Sequence, residues 1–489
     1  MTIVEAARTR QAKPTSRWLS LIILCVGFLM IVVDVTIVNV ALPSIRRDLG
    51  FSQADLAWVV NAYLIAYGGF LLLAGRLGDL VGRKRIFLIG LAMFTAASVL
   101  CGLSFSQPIL IAARFIQGVG GAVATAVILG MVVTMFPEPA ERARAMGLFA
   151  FVASAGASIG LLAGGLITQS VSWHWIFFVN LPIGVITALL AWRLLESDPG
   201  LGLSQGADVI GAVLVTVALM LGVDAIVESE QYGWVSVHTL GLGVISLAML
   251  AGFLWRQATA PNPLLPLRLF RSRNLSGANV VQALMLGGMF GFFFLGSLDL
   301  QRILHYGPLG IGLAFLPNAV AMAALSVGLS ARLIMRFGAR PVLIVGQVLV
   351  AISLAWIAGG PMATAYFRDW FLPIVLLGVG AGLAFPALTI LAMADSTPGD
   401  AGVASGVLNT TTQVGAALGL AVLATVSTNR TGQLLAGGQG LLSALSGGYH
   451  FAWAIGAGLV ITSVVLTWML LRPTAEPLAV VPAEEEACA

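Results

Sequence analysis

Apolar runs of about twenty residues recur fourteen times along this chain, and a hydrocarbon core of about 30 Å needs roughly that many residues per helix. The runs lie near 18–43, 56–75, 86–105, 108–135, 145–169, 174–194, 207–228, 238–256, 274–300, 308–332, 340–360, 370–393, 402–427 and 450–471. In lipid each backbone polar group has to be satisfied within its own segment, so the runs predict helices. With 59% hydrophobic and 9% charged residues and a mean hydropathy of +0.98, no polar stretch is long enough for a soluble domain. The expected fold is an all-α polytopic membrane protein. Its connections are short, so neighbouring helices pack antiparallel. Residues 1–17 are polar and basic, and the run after them is longer than a signal-peptide core, which makes it a retained first span.

Charge placement sets the orientation. Arg46, Arg47, Arg302, Arg368 and Arg430 fall in segments on one side and Arg114 falls within a span, whereas the other nineteen Lys and Arg residues fall on the opposite side. The positive-inside rule then puts both termini in the cytoplasm, of a cell (inner or plasma) membrane. A net charge of +4 carries no nucleic-acid signal, and three cysteines are too few for a disulfide framework. The four histidines, His174, His238, His305 and His450, sit near outer span ends without metal-ligand spacing, so no metal site is expected. No Walker sequence is present, and the glycines lie in apolar helices rather than strand-to-helix turns, so neither ATP nor another cofactor is expected. No nucleophile–base or metal constellation supports an enzyme.

A charged, glycine-punctuated hairpin, Gly75-Arg-Leu-Gly-Asp-Leu-Val-Gly-Arg-Lys-Arg85, joins the second and third runs on the cytoplasmic side. Asp79 ends one helix there, while Arg76, Arg83, Lys84 and Arg85 stay at the membrane surface. A weaker copy, Ala331-Arg-Leu-Ile-Met-Arg-Phe-Gly-Ala-Arg340, recurs about 256 residues later. Gly147, Gly156 and Gly160 match Gly406, Gly415 and Gly419 at an offset of 259, and Gly118-Val119-Gly120 matches Gly378-Val379-Gly380 at 260. These offsets divide the chain into a tail 1–17, a six-helix bundle 18–194, two inserted helices 207–256, a proline-rich basic linker 257–273, a second six-helix bundle 274–471 and a tail 472–489. Paired repeats of this kind build transporters that rock between two open states.

The chain resembles the major facilitator superfamily, in its fourteen-span drug:proton antiporter branch, over nearly its whole length. The Gly75–Arg85 hairpin carries the most specific signature. Asp34-Val-Thr-Ile-Val-Asn-Val-Ala-Leu-Pro43 resembles the first-span motif of that branch, Arg114-Phe-Ile-Gln-Gly-Val-Gly-Gly121 the fourth-span motif, and Trp173-His-Trp-Ile-Phe-Phe-Val-Asn-Leu-Pro182 the start of the sixth. Where the family's fifth-span antiporter motif has a Gly-Pro pair, this chain reads Gly160-Leu161; Gly156, Gly160, Gly164 and Gly165 keep close helix packing available, and Leu161 removes the proline kink.

The resemblance implies a central cavity bordered by the first and fourth spans. Asp34 lies nine residues before Pro43 and Arg114 six after Pro108, placing them about 13 and 9 Å from the outer boundary at a rise of about 1.5 Å per residue. An ionisable group at such depth costs about 2.5–3.5 kcal/mol on insertion scales. It carries proton coupling if rocking changes water access or the Asp34–Arg114 distance; the alternative is a permanent ion pair that fixes packing. The resemblance also implies an inner gate at Gly75, Asp79, Gly82 and Arg83, against the alternative that the cluster only sets orientation. Ile374 and Met335 replace Arg114 and Asp79 in the second half, which assigns the proton to the first half and the substrate to the second. Candidates for the substrate cavity are Asn39, Gln117, Met289, Phe293, Asp224 and Asp299. Met289 and Phe293 are equally suited to an ordinary core or lipid face, and Asp299 to a pair with Arg302.

The expected function is proton-coupled export of lipophilic or cationic small molecules by alternating access, with the proton gradient as the energy source. One charge crossing about 100 mV is worth about 2.3 kcal/mol, close to 50-fold in concentration. The alternatives are a dedicated exporter of one endogenous metabolite or lipid precursor, and a non-transporting sensor or scaffold. Partners are the substrate, protons and the bilayer; substrate identity and oligomeric state are left open.

Overall fold

The structure, a computed structural model, describes residues 14–136, 138–196, 198, 200, 202, 206–361, 365–395 and 401–472. Most of the two expected tails, 1–13 and 473–489, lies outside them.

The described chain is helical throughout: α1 Pro14–Leu49, α2 Trp58–Val81, α3 Arg83–Gly102, α4 Gln107–Thr125 (continued by Ile128–Met135), α5 Pro139–Ser170, α6 Asn180–Leu194 (preceded by the turn Trp175–Phe178) and α7 Val209–Tyr232. After these come α8 Val237–Thr259, α9 Arg273–Arg302, α10 Pro308–Ala324, α11 Ala339–Gly359, α12 Phe371–Met393, α13 Ala401–Ala436 and α14 Leu441–Leu470. Among the described residues, twelve helices are long and apolar enough to cross a membrane, against the fourteen runs read from hydropathy. The shortfall lies in α5 and α10. Within α5 the apolar stretch among the described residues is Ile159–Ser170, and α10 gives way to a π turn at Leu325–Leu329 before Ser330–Phe337. Large apolar side chains lie bare on outward faces, Val244, Leu247 and Trp255 of α8 among them. Water would not tolerate such a belt, and lipid does.

Helix ends follow their local chemistry. Pro108, Pro139 and Pro308 occupy the first turns of α4, α5 and α10, where no N–H is missed. Ser236 and Ser272 accept from the N–H groups of Thr239 and Leu275 at the starts of α8 and α9. Gly82, with φ +104°, separates α2 from α3, and Gly338, with φ +85°, separates Phe337 from α11. They stand 256 residues apart, and each takes a conformation that a side chain disfavours.

Packing repeats along with the sequence. α1 lies on α5 and α9 on α13; α2 lies on α4 and α10 on α12; α3 lies on α4 and α11 on α12. Glycines at matching positions set these approaches. A Cβ on Gly160 would stand 2.9 Å from the Val33 carbonyl, and one on Gly419 would stand 2.5 Å from the Gly287 carbonyl. Gly120 would meet the Phe94 nitrogen at 2.5 Å and Gly380 the Gly346 carbonyl at 2.6 Å. Gly118 abuts the Tyr63 carbonyl as Gly378 abuts that of Asn318. Across the middle of the molecule α2 packs on α13, and α5 on α10. The antiparallel pair α7–α8 joins through α7, which touches α2 and α13. At its root Asp208 caps α7 through the Gly211 N–H and also accepts from Arg256 and Gln257 of α8. Burial pushes this carboxyl up, but the three hydrogen bonds and the Arg256 charge outweigh it and leave it below the usual carboxylate range.

Candidate functional site

Asp34, in the middle of α1, points into the bundle and is fully buried. Its Oδ2 accepts from Arg114 Nη1 at 2.6 Å, and its Oδ1 accepts from Gln117 Nε2 at 2.8 Å and from Asn180 Nδ2 at 2.9 Å. Three helices thus supply four side chains. α4 presents Arg114 and Gln117 one turn apart, and α6 presents Asn180 at its first residue. The partners are themselves held. Arg114 Nη1 also donates to Gln117 Oε1 at 2.6 Å, its Nε donates to the Val59 carbonyl at 3.0 Å, and its guanidinium lies 4.4 Å from the centre of the Tyr63 ring. Asn180 also donates to Ser98 Oγ at 2.9 Å, and Ser98 donates to the Phe177 carbonyl at 2.9 Å. The Tyr63 hydroxyl, on α2, is buried with no hydrogen bond.

Such a pair stays in a dry interior only because the carboxylate's lone pairs and most guanidinium donors are matched; removing one partner of a buried pair costs about 3–5 kcal/mol. Asp34 and Arg114, read from the sequence as lying at similar depths, are in direct contact. Asn180, Ser98 and the Val59 carbonyl complete the site and were not among its expected members. Gln117 sits against Asp34 rather than in an open cavity.

The other expected residues are dispersed. Asn39 is half-buried and donates to the Val35 carbonyl of its own helix. Met289 is buried on α9, and the half-buried Phe293 packs edge-on against Phe292 and Phe315. Asp224 is half-buried on α7. Asp299 does not pair with Arg302. It is buried and accepts from Trp370 Nε1 at 3.1 Å, while Arg302 Nη1 is drawn to Gln53 Oε1 at 3.0 Å and to the Tyr449 hydroxyl at 3.1 Å.

The hairpin residues gather at one end of the bundle, the Gly82 end. Arg83 Nη2 donates to Asp79 Oδ1 at 3.1 Å and its Nη1 to the Gly130 carbonyl at 3.0 Å. A Cβ on Gly82 would stand 2.5 Å from the Asp198 carbonyl, whereas Gly75 has open space around it. Lys84 Nζ caps the last turn of α6 through the Trp192 and Leu195 carbonyls at 2.7 and 2.6 Å. Arg340, 256 residues later, donates to the Trp468 carbonyl at the end of α14. Of the glycines in α5, Gly156, Gly160 and Gly164 face α1, and Gly165 faces Leu309 of α10. At the opposite end, which carries Phe51, Gln53 Nε2 donates to Ser427 Oγ at 3.3 Å, and Gln169 Oε1 accepts from the Leu309 N–H at 3.2 Å.

An apolar helical bundle built from two copies of one packing scheme, with a buried ion pair in one copy, defines a polytopic membrane transporter. The model of the Major Facilitator Superfamily matches residues 24–420 and 298–487. The chain belongs to that superfamily. It is 36% identical to the puromycin resistance protein pur8 of Streptomyces alboniger, over 97% of this chain and 95% of that one. To the cephamycin export protein CmcT of Amycolatopsis lactamdurans it is 36% identical, over 88% and 90% of the two chains. To the multidrug resistance protein Stp of Mycobacterium tuberculosis it is 34% identical, over 83% and 75%. Among solved structures it is similar in fold to a bacterial homolog of the human lysosomal transporter Spinster in an inward-facing, unoccupied conformation, with a TM-score of 0.67 at 15% identity, over 94% of this chain and 98% of the other.

Proposed function

We propose that this chain is a proton-driven exporter of lipophilic, cationic or antibiotic-like small molecules. In this reading it has fourteen spans, α1 to α14, with α1–α6 and α9–α14 as its two rocking halves and α7–α8 as the insert. The Gly82 end and both termini are cytoplasmic, because the basic residues concentrate there. Gln53 and Gln169 then bridge the two halves at the outer face.

The observation that carries the reading is the Asp34 carboxylate, dry in this state and held by Arg114, Gln117 and Asn180 on two other helices. A relative movement of α4 or α6 changes its donors and its access to water together, which is what coupling requires. The relatives named for resistance to, or export of, puromycin and cephamycin, and for multidrug resistance, support export as the direction and antibiotics as the cargo class. That two of them are named for one antibiotic also supports a second reading, a dedicated exporter of a single compound. The Asp79–Arg83 pair bonds within its own hairpin here and is assigned to the inner gate, engaging the second half when the outer face opens.

The test is Asp34→Asn in reconstituted vesicles under an imposed pH gradient, with ethidium as the probe. The variant is expected to stay folded and to lose gradient-driven efflux entirely. Efflux at the wild-type rate would remove Asp34 from the coupling step.

A further inference from the structure

Asp299 and Arg302, the pair offered as an alternative to a cavity role for Asp299, do not bond to each other, and the contacts of Arg302 instead join the two halves. Gln53 lies in the short helical turn Gln53–Leu56, between α1 and α2, and is buried. Its amide nitrogen reaches Ser427 on α13 and its amide oxygen takes Arg302 from α9. One first-half side chain therefore clasps two second-half helices. Arg302 is only partly satisfied, since its Nη2 is buried with no hydrogen bond. Asp299, three residues earlier and so on the same helix face, accepts only from the Trp370 indole among the hydrogen bonds identified. Tyr449, on α14, is the remaining titratable group against Arg302.

A second observation marks the same seam. Both amide atoms of Asn61 are buried without a hydrogen bond. Asn61 stands seven residues before Gly68, on the same face of α2, and Gly68 packs against Thr410 and Gln413 of α13. An unpaired amide is unfavourable in a dry interface and is relieved once water enters.

We propose that Gln53 is the latch of the outer face and that Arg302 is a two-position switch. With the face shut, Arg302 is held by Gln53 and Tyr449. When the halves part, Gln53 leaves with α1 and α2, and the guanidinium turns to Asp299, which stabilises the open state. Water then reaches Asn61. This rests on the reading of the chain as an alternating-access transporter and goes beyond it by naming the outer gate.

Two measurements test it, both in a Cys488→Ser background with the buried Cys25 and Cys101 retained. First, Gln53→Cys with Ser427→Cys is joined by a short bis-methanethiosulfonate reagent. Ethidium efflux is expected to fall at least tenfold from the untreated double variant's rate and to return on reduction, while the reagent leaves each single variant at its own untreated rate; undiminished efflux after cross-linking would overturn the latch. Second, Asn61→Cys is labelled from outside with a membrane-impermeant maleimide. Adding Gln53→Ala is expected to raise the labelling rate at least threefold, and adding Asp299→Asn to lower it at least threefold. Unchanged rates in both, in protein that elutes as a folded peak, would overturn the switch. Labelling reads the gate without any efflux, so a failed proton-coupling test leaves this result standing, and the reverse also holds.

Discussion

The two oxygens of Asp34 are unequally loaded: Oδ2 holds Arg114 alone, and Oδ1 holds Gln117 and Asn180. Asn180 is also the only partner from α6, so it ties that helix to the carboxylate. Asn180→Leu is expected to keep the fold and lower gradient-driven ethidium efflux by about tenfold, because a hydrogen bond to a charged group contributes about 1.5–3 kcal/mol net. Ser98→Ala, one bond further out, is expected to have a smaller effect in the same assay. Asp34 and Arg114 were legible in the sequence because a charge inside an apolar run is costly enough to need a reason. Asn180 and Ser98 were not, since neutral side chains enter such runs at little cost. Their role exists only once α3 and α6 are side by side. The Asp299–Arg302 pairing failed for a related reason. Spacing on one helix suggested a pair, while partners from other helices drew each residue away.

Hairpins and caps were partly readable. Gly82 and Gly338 sit where a chain must reverse within one or two residues, and both have positive φ. Lys84, two positions after Gly82, reads from the sequence as a surface charge, and Arg340 stands at the same place after Gly338. In the fold Lys84 and Arg340 instead satisfy C-terminal carbonyls of α6 and α14, where a cation also meets the negative end of the helix dipole. Such long-range capping leaves no mark in local sequence. α14 begins at Leu441 rather than near 450, because the Ser- and Gly-containing stretch that diluted the hydropathy signal still propagates as helix against α13. The root of the insert offers a pH test. The Asp208 carboxyl titrates below its ordinary range in the folded protein, so its contribution is present above the usual carboxylate pKa of about 4 and is lost as pH falls through the lower folded value. Detergent-solubilised Asp208→Asn is expected to melt below wild type at pH 7, with the gap closing as the buffer is taken below about pH 4. A constant gap would assign Asp208 a role independent of its charge.

At the scale of the whole molecule, repeated glycine spacing was the strongest signal of architecture, because helix backbones can approach closely only where the side chain is absent. Gly118, Gly120, Gly156 and Gly160 and their counterparts in the second half hold helices together within each half, whereas Gly406 faces Leu72 of the other half. Contacts between the halves could not be read that way, since they join residues far apart in sequence and need not repeat. The two of the fourteen runs that fall short of spanning length among the described residues are α5 and α10, the two helices that meet each other across the middle. Gly165 of α5 lies against Pro308 and Leu309, and Gly312 of α10 lies against the Leu161 carbonyl. Gly312→Ala would press a methyl into that carbonyl. It is expected to leave ethidium binding unchanged and to slow turnover at least fivefold, measured as equilibrium binding against efflux rate.

At Gly165 and Gly312 this contact is backbone against backbone, as a journal sits in a smooth bearing. A protein that tilts its halves thousands of times needs one place where nothing has to be unmeshed. Here the leucine that stands in for the family's proline lends that surface its main-chain oxygen.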